Sequence, residues 1–311
     1  ERLRDSCLRR VLADMDDDML GNKPGRGTWA RTFRDWRTVI LVGSFVAVLV
    51  FFLFHLVSDG DFSFLMTLSN LLRVSALALL LVKAFGDHSG VTEISLKSMQ
   101  CYCAVSTLRL SSILFYEGYL PFDSSGDWFY QSMEVFSLIL AGALVFTMTM
   151  SNKRHGYNPR NDVFGKDFSI GPLTLPSNLG ALWLIVPSIV VAMLFHPTLN
   201  NNFVTDAAWS AALYLEAVAI LPQDRMFRRG SRLHELTSLS VFMIGMSGLF
   251  SLVFWLFSFS ELNASYSSHF GHSYPGYVVV GCQFLNLVIM FDFIRRYVQA
   301  ATAGRPPILP S

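Results

Sequence analysis

Long apolar stretches alternate with short polar segments along most of this 311-residue chain. A helix needs about 20 mainly apolar residues to cross the hydrocarbon core of a bilayer. Eight stretches approach or exceed that length: Thr38–Val57, Phe62–Phe85, Ser98–Tyr116, Phe129–Met150, Leu179–Phe195, Ala207–Leu221, Leu236–Phe259 and Gly276–Ile294. The pattern therefore predicts an all-α integral membrane protein with eight transmembrane helices, whose first partner is the lipid bilayer.

The basic residues predict the orientation of these helices. Of the 24 Lys and Arg residues, 20 lie in segments on one side of the predicted membrane, and the segments on the other side carry none. The other four, Arg73, Lys83, Lys97 and Arg109, lie inside or beside the spans. Because loops rich in Lys and Arg stay in the cytosol, both termini are predicted to be cytosolic, or on the matrix side of a mitochondrial inner membrane.

Composition agrees with a membrane protein and narrows the possible functions. Apolar residues make up 52% of the chain and charged residues only 15%, while a net charge of +1 argues against a nucleic-acid partner. The four cysteines show no metal-binding or disulfide spacing, and the histidines are scattered apart from the weak pair His269 and His272. We therefore expect no catalytic site, no metal and no cofactor, and predict that the chain is not an enzyme.

The first 37 residues differ from the rest of the chain. They contain nine basic and seven acidic residues with few apolar anchors, so alone they should be disordered. We interpret them as an arm that docks on a partner complex through two patches of opposite charge. The patches are Arg2, Arg4, Arg9 and Arg10, and Asp16, Asp17 and Asp18. The predicted organisation is this arm (1–37), an added helix (38–57), a seven-helix domain (58–300) and a tail (301–311).

A weak internal repeat indicates how the helices are grouped. The segments ISLKSMQ (94–100) and AILPQ (219–223) are each a polar turn at a helix boundary on the same side of the predicted membrane. Apart from the added helix at 38–57, three spans precede and three follow the single span at Leu179–Phe195, which gives a three-plus-one-plus-three core. Parallel repeats of this kind place a site between the halves, near the middle of the membrane.

Glu216 is the least expected residue in this pattern, because it lies inside an apolar run. An isolated carboxylate there is costly unless it has a partner or a function. At about 1.5 Å of rise per residue, Arg73, Arg109 and Glu216 lie roughly 10–15 Å from the same end of their spans. We predict that Glu216 neutralises one of these arginines, that Glu134 joins them, and that Asp206 lies nearer the rim. A small-anion site or a proton or solute pathway is the alternative.

The same region carries a family resemblance. The decapeptide YLEAVAILPQ (214–223), preceded by Asp206 and Trp209, together with ISLKS (94–98) and FDF (291–293), resembles the ER-lumen retention receptors, or KDEL receptors. The likeness covers roughly residues 62–300 and is closest to a longer plant-type branch with an added N-terminal span. It implies a seven-helix core akin to the sugar-transporting SWEET fold, ER or Golgi membranes, and retrieval of escaped ER proteins by their C-terminal tetrapeptide.

The binding residues of the receptors are only partly present. The resemblance implies that Arg109, Asp206, Trp209 and Glu216 match ligand-binding positions, so these residues with Arg73 form either a remnant of a ligand pocket or a buried ion network. Other family positions differ. A cationic or aromatic residue is replaced by Met66, Ser247, Gly248, Ser251 and Ser258, an Asn by Phe254, and a titratable His by Arg73.

These differences leave three functional interpretations. We predict that KDEL-type peptides do not bind, and that the chain is an accessory or structural subunit of a larger membrane assembly, with stoichiometric membrane-protein partners. The alternatives are a trafficking receptor with altered ligand choice, and a SWEET-like solute carrier that rests on fold analogy alone.

Overall fold

The computed structural model describes residues 63–86, 91–114, 127–150, 179–197, 202–227, 234–260 and 275–302, with nine further positions between 157 and 174. The predicted arm, with its charged patches, and the predicted span Thr38–Val57 lie outside the described residues. So do residues 303–311 and the pair His269 and His272.

The described residues form eight helices. They are α1 (Ser63–Gly86), α2 (Leu96–Ile113), α3 (Asp127–Met150), α4 (Leu182–Leu194), α5 (Phe203–Val218), α6 (Leu221–Phe227), α7 (Glu235–Phe257) and α8 (Pro275–Thr302). Within the same residues, the only strands are β1 (Ser169–Ile170) and β2 (Leu173–Thr174), which pair antiparallel with Ser169 opposite Thr174. The predicted all-α class is confirmed.

Five described helical segments are long and apolar enough to cross a membrane. They are Ser63–Gly86, Trp128–Met150, Phe203–Phe227, Glu235–Phe257 and Gly276–Ala300. Helix α4 is apolar but has only 13 residues, and α2 is less apolar because it carries Lys97, Arg109 and several serines. The membrane class is thereby confirmed, whereas the full count of eight spans stays a prediction.

Local sequence explains several helix ends. The Ser95 hydroxyl accepts a hydrogen bond from the Ser98 N–H and so caps α2, and the Asn202 side chain caps α5 in the same way. The span that contains Glu216 is interrupted after Val218, and the chain resumes as α6 at Leu221. Pro222 lies in the first turn of α6, where its missing N–H leaves no helical hydrogen bond unmade.

The helices pack as two similar triplets. In the first, α1 and α2 both pack against α3, and in the second, α5 and α7 both pack against α8. The triplets meet where α1 packs against α7 and α2 against α5, while α4 packs against α5. In each contact, the first helix of one triplet packs against the second helix of the other. The arrangement therefore has the approximate twofold symmetry expected of a three-plus-one-plus-three repeat.

The two repeated motifs contact each other directly. The Ser95 N–H donates to Gln223 Oε1 at 2.7 Å, and the Gln223 N–H donates to the Ser98 hydroxyl at 3.1 Å. Gln223 Nε2 also donates to the Glu93 carbonyl at 2.7 Å. These bonds tie the two triplets together at one end of the bundle, opposite the end where α1 begins.

A buried ion pair strengthens the same end of the bundle. Lys83 Nζ donates to Glu93 Oε2 at 2.8 Å and to the Thr237 hydroxyl at 2.6 Å. Nearby, Asp162 accepts hydrogen bonds from the Ser95 hydroxyl at 3.0 Å and from the Tyr157 hydroxyl at 3.3 Å. Burial, followed by the negative charge of Asp162, raises the pKa of Tyr157 above its ordinary value, so this hydroxyl remains a donor.

A candidate site at an intramembrane charge cluster

Four charged side chains from four helices meet inside the bundle. Arg73 lies on α1, Arg109 on α2, Glu134 on α3 and Glu216 on α5. These helices are neighbours in the packing, since α3 contacts α1 and α2, and α5 contacts α2. The fold therefore gathers into one cluster residues that are as far apart in sequence as Arg73 and Glu216.

Each arginine of this cluster binds both glutamates. Arg73 Nη1 donates to Glu216 Oε1 at 2.8 Å, and Arg73 Nη2 donates to Glu134 Oε1. Arg109 Nη1 donates to Glu134 Oε1 at 3.1 Å, and Arg109 Nη2 donates to Glu216 Oε2. The result is a closed ring of four ion pairs whose formal charges cancel. We call it the charge ring.

The charge ring is shielded from the surroundings of the protein. The Glu134 side chain is fully buried, each arginine side chain is 6% exposed, and Glu216 is 18% exposed. Charges in such a place are tolerated when each has an opposite charge and further hydrogen bonds. Removing one member leaves an uncompensated buried charge, so the four residues depend on one another.

Neutral side chains hold the members of the ring in place. Asn70, one turn before Arg73, accepts from Arg73 Nη2 at 2.9 Å and donates to the Met66 carbonyl at 3.0 Å. Asn286 on α8 donates to the main-chain carbonyl of Glu216 at 2.9 Å. The Asn70 amide thus fixes the orientation of Arg73, and the Asn286 amide fixes the position of the helix turn that carries Glu216.

A cleft adjoins the charge ring between the two triplets. Its outline contains about 310 Å³ not filled by atoms, part of it open to the surroundings, and both Arg73 and Glu216 border it. Most of its other walls are polar but uncharged: Ser69, Tyr102, Ser247, Ser251, Gln283 and Asn286. The cleft therefore lies where the repeat pattern predicts a site, and it offers hydrogen bonds beside a neutralised set of charges.

A second cavity lies on the Arg109 side of the ring. Its outline contains about 250 Å³ not filled by atoms, part of it open to the surroundings. It is bordered by Met66, Arg109, Trp209 and Trp255, and Gln283 borders both spaces. The rings of Trp209 and Trp255 pack edge to face with centroids 6.2 Å apart. Trp209 thus contributes an aromatic wall beside Arg109.

The predicted site residues separate into two places. Arg73, Arg109 and Glu216 lie in the charge ring, and Glu134, which sequence reasoning placed nearby, lies there too. Asp206 is buried in the first turn of α5, ten residues before Glu216 and therefore about 15 Å from it along the axis. Among the described residues, no group of three His, Cys, Asp or Glu side chains is placed to hold a metal ion.

Sequence reasoning missed the polar walls of the cleft. Gln283 and Asn286 are three residues apart on the apolar helix α8, so they share a face, and this spacing was a usable signal. Asn70 has the same spacing from Arg73. Tyr102 carried no such signal, because a single tyrosine in an apolar helix is ordinary core packing.

Gly248→Ala should destabilise the protein by about 1–3 kcal/mol, the usual cost of overpacking. An added Cβ would lie 2.9 Å from Asn286 Oδ1, so it would push away the amide that donates to Glu216. Gly142→Ala is the matched control, because nothing lies within 4 Å of its added Cβ. The check is the thermal midpoint of both variants in detergent; equal midpoints would contradict the tight contact.

Comparisons with known proteins show that this chain is similar to the ER retention receptors. The family model described as "ER lumen protein retaining receptor" matches residues 90–258, which is more than half of the chain. Over 243 residues the chain is 25% identical to ER lumen protein-retaining receptor 2 of Xenopus laevis and 24% identical to that of Homo sapiens. Each alignment covers 78% of this chain and 96% of the relative.

A third relative is matched over a shorter length. The chain is 25% identical to the ER lumen protein-retaining receptor of Entamoeba histolytica over 132 residues, which is 42% of this chain. That alignment spans only 56% of the Entamoeba protein. The similarity is thus broad in extent but low in identity, and the function of individual residues has to be argued from their geometry.

Proposed function

The chain belongs to the ER lumen protein retaining receptor family, and from this premise we propose that it is a non-catalytic membrane protein of the ER and Golgi that does not bind KDEL-type peptides. We further propose that it acts as an accessory or structural subunit of a larger membrane assembly. The names of its relatives refer to the ER lumen and so support the ER part of this placement, and nothing in them favours the mitochondrial inner membrane.

The observation that carries the proposal is the charge ring. A tetrapeptide with a terminal carboxylate and acidic side chains needs converging cations, and each charge-assisted contact contributes about 1.5–3 kcal/mol. Here Arg73 and Arg109 already bind Glu134 and Glu216. A peptide carboxylate that binds one of these arginines would have to displace an internal carboxylate, which would lose one of its two ion pairs while it stays inside the bundle.

The composition of α7 supports the same proposal. Ser247, Gly248 and Ser251 border the cleft, and Ser258 follows the last residue of the helix. The resemblance implies a cation or an aromatic hydrogen-bonding group at each of these positions. Losing two cations would weaken binding by about 3–6 kcal/mol, or roughly two to four orders of magnitude in Kd.

The accessory role rests on the sequence of residues 1–37. Ordering the backbone costs roughly 1–2 kcal/mol per residue, and a segment of mixed charge with few apolar anchors cannot recover that cost by folding on itself. Contact with a partner surface offsets this cost. The two oppositely charged patches of residues 1–37 suit a partner surface that also carries both positive and negative charges. Such exposed contacts weaken as salt rises.

Deleting residues 1–25 should release the chain from its partners while leaving membrane insertion intact. The deletion keeps Arg26, Arg31, Arg34 and Arg37, which lie nearest the predicted first span and can anchor it to lipid headgroups. The measurement is native electrophoresis of the gently solubilised full-length and truncated proteins. A truncated chain that still comigrates with the same partners at the same stoichiometry would show that the arm is not the attachment.

A second candidate function is a trafficking receptor with altered ligand choice. It is favoured by the cleft itself, which lies between the triplets and has mostly polar walls. Screening C-terminal peptides that lack acidic side chains separates the two candidates. Saturable binding of one such peptide, without stoichiometric partners in the purified sample, would favour the receptor.

A further inference from the structure

The cleft beside the charge ring is bordered by a buried hydroxyl that no described group satisfies. Tyr102 is 4% exposed and borders the cleft, and its hydroxyl has no hydrogen-bond partner within the described residues. Leaving a buried polar group without a hydrogen bond costs free energy, so native proteins complete such a group with water or a ligand. The Tyr102 hydroxyl therefore indicates that a further molecule binds in the cleft.

The size of the cleft limits what this molecule can be. Although the outline is larger, the centre of a water molecule fits into only about 20 Å³ of it. A cavity needs roughly 10–15 Å³ of such room to hold one water, so this cleft holds one or two. A peptide side chain, a sugar or a lipid headgroup is too large.

Glu216 provides a second polar group at the same cleft. Its two carboxylate oxygens accept one hydrogen bond each, from Arg73 and from Arg109, whereas a carboxylate can accept about four. Its side chain is also the most exposed of the charge ring, at 18%. The Glu216 carboxylate therefore has acceptor sites left beside the cleft.

The charges at the cleft favour a neutral molecule over an ion. The charges of the ring cancel, and the remaining walls carry no charge. An entering ion would lose its hydration without meeting an uncompensated opposite charge, which is unfavourable. A water molecule can accept a hydrogen bond from Tyr102 and donate to Glu216 and to a serine oxygen. It thus finds the two to four polar partners that a buried water needs.

We propose that the cleft is a binding site for one or two ordered water molecules, one of which bridges the Tyr102 hydroxyl and the Glu216 carboxylate. This water connects α2 to α5, and it offsets part of the cost of keeping the most exposed carboxylate of the ring charged inside the bundle. The inference goes beyond the proposed function and does not depend on it, because the water completes hydrogen bonds within the bundle whatever partners the chain has.

The direct test is a crystal structure of the full-length chain, grown from a lipid mesophase, at a resolution that shows ordered waters. We expect a density peak at about 2.5–3.0 Å from both the Tyr102 oxygen and a Glu216 carboxylate oxygen. In Tyr102→Phe this peak should be lost or should move away from residue 102. No peak in the unsubstituted chain, with waters visible elsewhere, would overturn the proposal, as would a peak that Tyr102→Phe leaves unchanged.

Tyr130→Phe is the matched control for this structure. It removes a buried tyrosine hydroxyl that bonds to the Ser63 carbonyl and does not border the cleft, so the peak should remain. Loss of the peak in this variant as well would overturn the assignment of the water to Tyr102.

Thermal unfolding in lipid nanodiscs distinguishes a bridged hydroxyl from an idle one. If water bridges Tyr102 and Glu216, Tyr102→Phe removes a hydrogen bond and should lower Tm by about 2–4 °C. Removing an idle buried hydroxyl would instead leave Tm unchanged or raise it, and this result would overturn the proposal. Exchanging sodium chloride for choline chloride should shift Tm equally in both proteins. A sodium-dependent rise that Tyr102→Phe abolishes would identify a cation instead of water and would also overturn it.

Discussion

Peptides that end in Lys-Asp-Glu-Leu or His-Asp-Glu-Leu are expected to show no measurable binding to the purified protein at either about pH 5.5 or about pH 7. The two arginines of the charge ring are held by Glu134 and Glu216. Helix α7 and the residue after it present Ser247, Gly248 and Ser258 where the family resemblance implies other side chains. The resemblance implies that Arg73 stands where the family has a pH-dependent histidine, and an arginine does not titrate in this range. The measurement is isothermal titration calorimetry with both peptides at both pH values.

A working receptor of the family, titrated under the same conditions, is the positive control for this experiment. Micromolar or tighter binding that strengthens at acidic pH would contradict the prediction. The double variant Gly248→Arg with Ser258→Arg is not expected to bind either. It restores cations on α7 but leaves Met66 in place and leaves Arg73 and Arg109 engaged with the glutamates.

Glu216→Leu should lower the free energy of unfolding by about 3–5 kcal/mol, because it leaves two buried guanidinium groups with only Glu134 between them. At the usual unfolding entropy per residue, each kcal/mol lowers the Tm of a 311-residue chain by about 1.5 °C, so a fall of roughly 5–8 °C is expected. The measurement is thermal unfolding of the detergent-solubilised protein.

Asp292→Leu is the control for this substitution. Asp292 also pairs with two arginines, Arg295 and Arg296, but its side chain is 37% exposed, and exposed ion pairs contribute at most about 1 kcal/mol. The two variants therefore remove the same chemical group from a buried and from an exposed pair. A fall in Tm for Glu216→Leu no larger than that for Asp292→Leu would contradict the stabilising role of the ring.

Helical rise was enough to predict which charges share a depth, but not how they pair. Counting residues from the ends of the spans places Arg73, Arg109 and Glu216 at similar depths, because the rise per residue is fixed. Which side chains touch depends also on which helices are neighbours and how each is rotated. The structure adds that Glu216 bonds to both arginines, one through each carboxylate oxygen.

The walls of the cleft also depend on helix packing that the sequence does not show. Tyr102, Ser247 and Gln283 lie on three different helices, each between neighbours in sequence that are apolar or glycine. Tyr102, Ser247 and Gln283 become one surface only after the two triplets pack together. A single sequence shows these residues as isolated polar positions, whereas the repeat pattern predicted only the general place of a site.

Helix ends were predicted less well than helices. The apolar run from Leu179 to Phe195 predicts a full span, yet α4 begins only at Leu182, after Gly180 adopts a left-handed backbone conformation at φ 53°. At the other extreme, α8 continues beyond the apolar run that ends at Ile294 and reaches Thr302. Hydropathy marks the apolar part of a helix, while turns and ion pairs determine where it begins and ends.

The double-mutant cycles between Glu216 and each arginine test the charge ring most directly. They compare the unfolding free energies of Glu216→Leu, Arg73→Leu, Arg109→Leu and the two double variants. Because Glu216 bonds to both arginines, each double variant should lose less unfolding free energy than the two single variants lose together. The difference, which is the coupling energy, should be about 1–3 kcal/mol. Additive effects within about 0.5 kcal/mol in both cycles would contradict the ring and with it the explanation for a cleft closed to acidic peptides.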